Sequence, residues 1–128
     1  MATGQVKRTR KMEQTQMDTI DSITWLAPWQ PVHAPGLGAE LQKEVSAGHP
    51  LYRQDAVAVG HRCDCDDVLF FLPKNTLPYA VVHLTWSGKA ERVDWPATTL
   101  YASLEDWITR GMQRDHQTYA AETRDQHP

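Results

Sequence analysis

The densest run of chemically capable side chains is His61-Arg62-Cys63-Asp64-Cys65-Asp66-Asp67. An imidazole and two thiols this close are the start of a soft-metal site, with His61, Cys63 and Cys65 as its ligands. A tetrahedral zinc site takes about four ligands, and no second Cys or His pair at ligand spacing completes it. A disulfide between Cys63 and Cys65 is awkward. Strand side chains two residues apart stand about 6.6 Å apart, against about 3.8 Å between bridged Cβ atoms. The expectation is therefore two reduced thiols, no metal and no cofactor. Asp64, Asp66 and Asp67 invite a calcium or magnesium reading, but the EF-hand pattern is absent, with no glycine at the bend and no closing glutamate. Three carboxylates in one turn are better suited to meeting a cationic partner.

His83 is the other candidate. A histidine acting as general base wants a carboxylate to orient it and a nucleophile within reach. The Asp64–Asp67 turn could supply the first, but no GxSxG elbow or other nucleophile motif is present. Asp115 interrupts an otherwise apolar helix face and is expected to pair with Arg110, Arg92 or a tryptophan indole. Gly36-Leu37-Gly38 lacks the remainder of any phosphate-binding pattern.

The elements that must position these groups follow from periodicity. Residues 1–19 are polar, without apolar spacing, and read as a disordered tail. Ile20 to Pro35 mixes tryptophans with three prolines that forbid a long helix, giving an extended strap on the surface with Trp25 and Trp29 as anchors. Leu37, Leu41 and Val45 recur at helical spacing, with Glu40, Lys43 and Glu44 expected to face water, and Gly48 and Pro50 ending the helix. From Asp55 the period becomes two. Strands are expected around Val57–Arg62, at Val68–Leu72, which is apolar on both faces and so central, and at Tyr79–Trp86. Glu91–Trp95 is a candidate edge strand ended by Pro96. Ser103 with Asp106 opens a last helix whose stripe is Leu104, Trp107, Ile108, Met112 and Tyr119. Trp86, Trp95 and Trp107 are expected to bury together where the sheet meets this helix.

The sum is an α+β domain over residues 20–122, with 123–128 frayed. It is an antiparallel meander of three to four strands, with a short N-terminal helix and a longer C-terminal helix packed on one face. The longest apolar run, Val68–Pro73, has six residues, far short of the roughly 20 that span a bilayer. The basic N-terminus leads into no apolar signal segment, and two cysteines make no secreted framework, so a cytoplasmic, membrane-free protein is expected. Residues 1–24 carry a net charge of +1 and residues 25–128 a net −4. That balance disfavours nucleic-acid backbones and suits a basic protein partner.

The segments Asp66-Asp67-Val68-Leu69-Phe70, Tyr79-Ala80-Val81-Val82-His83-Leu84-Thr85-Trp86-Ser87-Gly88-Lys89 with Glu91, Trp95-Pro96 and Glu105-Asp106-Trp107 resemble a group of small bacterial single-domain proteins. Met112 to Asp115 and, upstream, Gly48-His49-Pro50-Leu51 extend the resemblance over about residues 37–119. It transfers no catalytic or binding residue. The type it implies, a small acidic stand-alone bacterial domain, is that of immunity proteins. The resulting expectation is a non-enzymatic protein-binding domain that neutralises a toxin by covering a basic cleft. Asp64, Asp66, Asp67, Glu91 and Asp94 would be its partner-binding groups. The alternative is a small enzyme or metal-dependent protein centred on His83 and the His61–Asp67 turn.

Overall fold

The computed structural model describes residues 19–125. Its central strand, β3 (Asp67–Phe71), has Val68, Leu69, Phe70 and Phe71 all buried. Alternate side chains leave a strand on opposite faces, so a strand apolar at every position must be covered on both. The flanking strands extend the sheet: β1 (Trp29–Pro31), β2 (Val57–Arg62), β4 (Tyr79–His83) and β5 (Thr98–Tyr101). The five pair antiparallel in the order β1-β2-β3-β4-β5, a simple meander.

Each face carries its own core. On one, Val68, Phe70, Ala80, Val82 and Leu84 pack with Leu41 of helix α1 (Pro35–Glu44) and with Val45 and Leu51 beyond it. On the other, Leu69, Phe71, Tyr79 and Tyr101 pack with Ile20 and Trp29 and with Leu104, Trp107 and Met112. These last three lie on a C-terminal helical rod made of α2 (Leu104–Trp107), a π-helical turn (Ile108–Met112) and α3 (Gln113–Asp125). The molecule is α+β as expected, but its helices lie on opposite faces rather than one. The reason is that β3 is apolar on both faces.

Other expectations are also corrected. The Trp29–Pro31 part of the strap joins the sheet as its edge strand, pairing Trp29 with Arg62 and Pro31 with Gly60. Glu91–Trp95 is not a strand. It is looped, with the Trp95 amide turned back to Arg92 O at 2.8 Å, and the edge strand beside β4 is Thr98–Tyr101. Glu40 and Glu44 do not face water: they are 7% and 0% exposed. The expected Trp86–Trp95–Trp107 cluster does not form either. Trp107 is fully buried against Trp29, edge to face at 5.2 Å, and Trp25, at 5.9 Å, while Trp86 and Trp95 are 52% and 39% exposed. The predicted tail, apart from Thr19, lies outside the described residues, as does the C-terminus beyond Asp125.

The helical rod begins as its sequence indicates. Ser103 Oγ accepts the Asp106 amide at 3.0 Å, and Asp106 returns a bond to the Ala102 amide at 3.2 Å. Gly111 sits in the π-helical turn under the Trp107 indole. A Cβ placed there would stand 2.7 Å from Trp107 Cδ1 and 2.9 Å from Nε1. Replacing a helical glycine by alanine ordinarily stabilises by about 1 kcal/mol. Gly111→Ala should do the reverse and cost about 1–3 kcal/mol through overpacking. Thermal unfolding checks this: the melting temperature should fall by at least about 4 °C where propensity alone would raise it.

Candidate functional site

The chemically capable residues gather at one end of the sheet. The β2–β3 turn (63–66), the end of β4 and the start of β5 all lie there, joined by Leu84 N–H donating to Asp66 O at 3.3 Å and His83 N–H to Ala97 O at 2.9 Å. Cys63 N–H donates to Pro28 O at 2.9 Å, tying the strap to the same end.

Arg62, the last residue of β2, organises the acidic turn. Its Nε and Nη2 donate to the two carboxylate oxygens of Asp64 at 2.8 Å each. This bidentate geometry is the strong form of the pair. Nη1 lies 3.6 Å from Asp115 and 3.9 Å from Asp67. Asp115, from α3, also accepts the Trp29 indole N–H at 2.8 Å, so the tryptophan-indole partner expected for it is the one observed. The bidentate bond to Arg62 holds the Asp64 carboxyl below the usual carboxylate range. Asp67 stands directly opposite His83 across the β3–β4 ladder, with Oδ1 2.7 Å from His83 Nδ1. Chemically this His–Asp pair is the orienting half of an acid–base device.

The other reactive groups near it among the described residues are two thiols and a second imidazole. Cys65 is in the adjacent turn, its thiol pushed up by partial loss of hydration at the sulfur and by the neighbouring Asp67 carboxylate, although the residue as a whole is exposed. Cys63 and Cys65 are unbridged and exposed. His61 lies half-buried on β2 opposite Gln30 and Val68. Among the described residues no three His, Cys, Asp or Glu side chains come together as metal ligands. The groove of about 720 Å³ between α1 and the 53–58 segment lies elsewhere, lined by residues such as His33, Gly38, Gln42 and Arg53.

Next to the acidic turn, the chain from Thr85 to Ala97 forms a loop that buries Pro96 but turns three large apolar side chains outward. Trp86, Val93 and Trp95 are 52%, 53% and 39% exposed. Trp86 has φ +59°, a left-handed conformation that costs a non-glycine residue roughly 1–2 kcal/mol. Two buried carboxylates of α1 hold it there. Glu44 accepts the Thr85 amide at 2.8 Å, the Thr85 hydroxyl at 3.0 Å and the Trp86 amide at 3.0 Å. Glu40 accepts the Gly88 amide at 3.0 Å. Glu91 joins through the Thr85 hydroxyl at 3.1 Å, and its amide donates to Glu44 O at 2.8 Å. Val93 packs over Gly48.

Of the predicted partner-binding groups, Asp64 and Asp67 are thus engaged by Arg62 and His83, and Glu91 is half-buried in the loop. Asp66 and Asp94 are exposed, with Asp94 3.9 Å from Arg92. Asp64 and Asp66 lie in the β2–β3 turn and Asp67 opens β3 next to it, while Glu91 and Asp94 share the loop beside them. Sequence reasoning missed Trp86, Val93 and Trp95 as exposed groups and the Glu40–Glu44 pair beneath them. No protein-family model, curated protein or solved structure matches the chain.

Two predictions follow from the Arg62 cluster and its thiols. Arg62→Met leaves Asp64, Asp67 and Asp115 without their cation, and should cost about 1–3 kcal/mol at neutral pH. Because the Asp64 pKa is lowered in the fold, its stabilisation is present above the ordinary aspartate range and lost as pH falls through the lowered value. Denaturant unfolding of both proteins should therefore show a gap that narrows in acid. As purified, the protein should contain no stoichiometric zinc, and a Cys63→Ser/Cys65→Ser variant should unfold at the wild-type temperature. One equivalent of zinc by elemental analysis, lost in that variant, would refute this.

Proposed function

We propose that the protein is a non-enzymatic protein-binding domain whose working surface is the sheet end carrying the acidic turn and the Trp86 loop. The observation that carries this reading is Trp86, a large aromatic side chain left half in water on a strained backbone that buried carboxylates grip. Strained, over-determined backbone concentrates at functional positions. Tryptophan is also the residue type most enriched among binding hot spots. Trp86, Val93 and Trp95 supply an apolar centre, and Asp64, Asp66, Asp67, Glu91 and Asp94 a carboxylate margin, the usual division of an interface into core and rim. The partner of best fit offers an apolar depression beside basic groups.

The bacterial immunity or antitoxin type, suggested by the sequence resemblance, is the specific form we propose, with a toxin domain's basic cleft as the occluded surface. The His83–Asp67 pair supports a second reading, a small enzyme, and the same experiment separates the two. The test measures affinity for the product of the neighbouring gene, together with survival of cells expressing that product. Trp86→Ala should weaken binding about 30-fold or more, the magnitude of a hot spot, with little change in melting temperature. Asp66→Lys should chiefly slow association. His83→Ala should cost about 1 kcal/mol of stability yet keep binding and protection. Loss of all activity in His83→Ala, with the other two variants unaffected, would transfer the assignment to the enzyme.

A further inference from the structure

The second half of the Trp86 loop docks on the turn that follows α1. Glu91 N–H donates to the Glu44 backbone O at 2.8 Å, Val93 packs over Gly48, and Pro96 O lies 3.0 Å from His49 Nε2. His49 is 5% exposed, and both of its ring nitrogens are engaged. On the far side of the ring, the Leu51 amide donates to Nδ1 at 3.0 Å. An amide N–H can only donate, so Nδ1 carries no proton and the single ring proton sits on Nε2. There it donates to Pro96 O, beside the Thr98 hydroxyl, which donates to the same oxygen at 2.9 Å. We infer that His49 is the positioning residue for the Val93–Trp95 half of the loop: a neutral imidazole in one fixed tautomer, which clasps Pro96 to the turn after α1 and lets go in acid. The consequence for a partner rests on the protein-binding reading above; the clasp itself does not.

Release in acid follows from the two bonds. A second proton has only Nδ1 to occupy, and there it would point at the Leu51 N–H across 3.0 Å, donor against donor in a buried site. One of the two must withdraw. Leu51 is fully buried in the core on the α1 side, so its amide stays. The backbone of His49 is also fixed, its N–H donating to Ser46 O and its carbonyl accepting the Tyr52 amide, each at 3.0 Å. The ring is the part that moves, and as it turns Nε2 leaves Pro96 O. Gly48 belongs to the same seam. It has φ +97°, and a Cβ there would stand 2.9 Å from Val93 Cγ2, so the turn meets the loop with no side chain between. The release concerns residues 91–96, because the bonds of Thr85, Trp86 and Gly88 to Glu44 and Glu40 do not involve His49.

The charged and titratable groups on the surrounding elements are engaged elsewhere. Glu44 of α1 turns its carboxylate to Thr85 and Trp86, and Glu91 accepts the Thr85 hydroxyl at 3.1 Å. Arg92 and Asp94 are exposed and 3.9 Å apart. His83, at the end of β4, is bound to Asp67, and Arg53, beyond Leu51, lies over the Tyr52 ring. Among the described residues, none of these bonds to the His49 ring. The sign is then definite. A contact that requires a neutral imidazole is complete above the ordinary histidine range, about pH 6.5, and is lost as pH falls below it.

NMR of the isotope-labelled, isolated chain over a pH series tests this. At neutral pH the His49 proton should be found on Nε2, and an NOE should join a Val93 methyl to the Gly48 α-protons. As the His49 ring takes up its second proton, that NOE should vanish. Exchange protection of the Leu51 amide should drop about tenfold or more after correction for the intrinsic effect of pH, while the Trp86 amide signal stays in place. Two variants separate the two ends of the ring. In His49→Asn the short amide keeps the Leu51 bond, as Asn75 Oδ1 does for the Leu77 N–H at 3.0 Å, but is too short to replace the bond to Pro96. The NOE should then be weak at every pH. In His49→Gln the longer amide offers Pro96 a donor that does not titrate, and the NOE should persist in acid. A neutral-pH proton on Nδ1, an NOE that survives protonation of His49 or is lost in acid from His49→Gln, or a His49→Asn loop as closed as wild type would overturn the clasp. The tautomer and the wild-type series need no variant to fold. None of these readouts uses a partner, so failure of the clasp and failure of the protein-binding reading are separately visible.

Discussion

A strand that is apolar on both faces cannot sit at a surface, and β3 imposes that condition on everything around it. Leu69, Phe70 and Leu72 are fully buried, and each such side chain contributes about 1.5–3 kcal/mol when removed from water. Both faces must be covered for that gain to be realised. The chain therefore divides its apolar material into α1 with the 45–51 segment on one side, and the strap with the C-terminal rod on the other. Trp107 shows how tightly the second cover is fitted, its indole held between Trp25, Trp29 and Gly111. With both faces closed, the polar groups collect at the sheet's end.

There, two different solutions to buried or half-buried charge stand side by side. Arg62 satisfies Asp64, Asp67 and Asp115 with one guanidinium, aided by His83 and the Trp29 indole. Among the described residues, Glu44 forms no ion pair with a cation. A carboxylate taken fully out of water must find donors, and it finds them in the loop it grips. The conformation of residues 85–88 follows from that need. Trp86 is driven into left-handed space because its amide, and that of Thr85, must reach the same carboxylate.

Much of this was legible in sequence. The β-meander, the central position of Val68–Leu72 and the Ser103 cap follow from alternation and capping chemistry, and the cost of an unpaired carboxylate required a partner for Asp115 without saying which of three it would be. The faces chosen by the helices were inferable too, since a β3 apolar on both faces already demanded two covers. Helix α1 is more instructive. Leu37, Glu40, Leu41, Glu44 and Val45 fall at i, i+3, i+4, i+7 and i+8, a single inward stripe. Charge suggested that the glutamates face water, whereas spacing places them inside. The edge strand was missed for a different reason: Thr98–Tyr101 is short, and the alternation in Glu91–Trp95 competed with it. No periodicity could have separated Trp107 from Trp86. Their fates are set by long-range contacts, one by a glycine four residues on and the other by a carboxylate on a distant helix.

The electrostatics of the sheet end also divide its labour by distance. Arg62 cancels only part of the charge of Asp64, Asp67 and Asp115, leaving a formal −2 before Asp66 is added. Over separations near the screening length of about 8 Å at physiological salt, an approaching molecule responds to that surplus rather than to any one carboxylate. At contact the order reverses. Asp64 and Asp67 are already bound within the protein, and diverting them would break bonds as good as those gained. On the protein-binding reading proposed above, short-range selectivity would be left to groups whose bonding is unfinished: the faces of Trp86 and Trp95, the exposed Val93, and Asp66. On that same reading the acidic turn would attract, and the loop that Glu44 holds in place would discriminate.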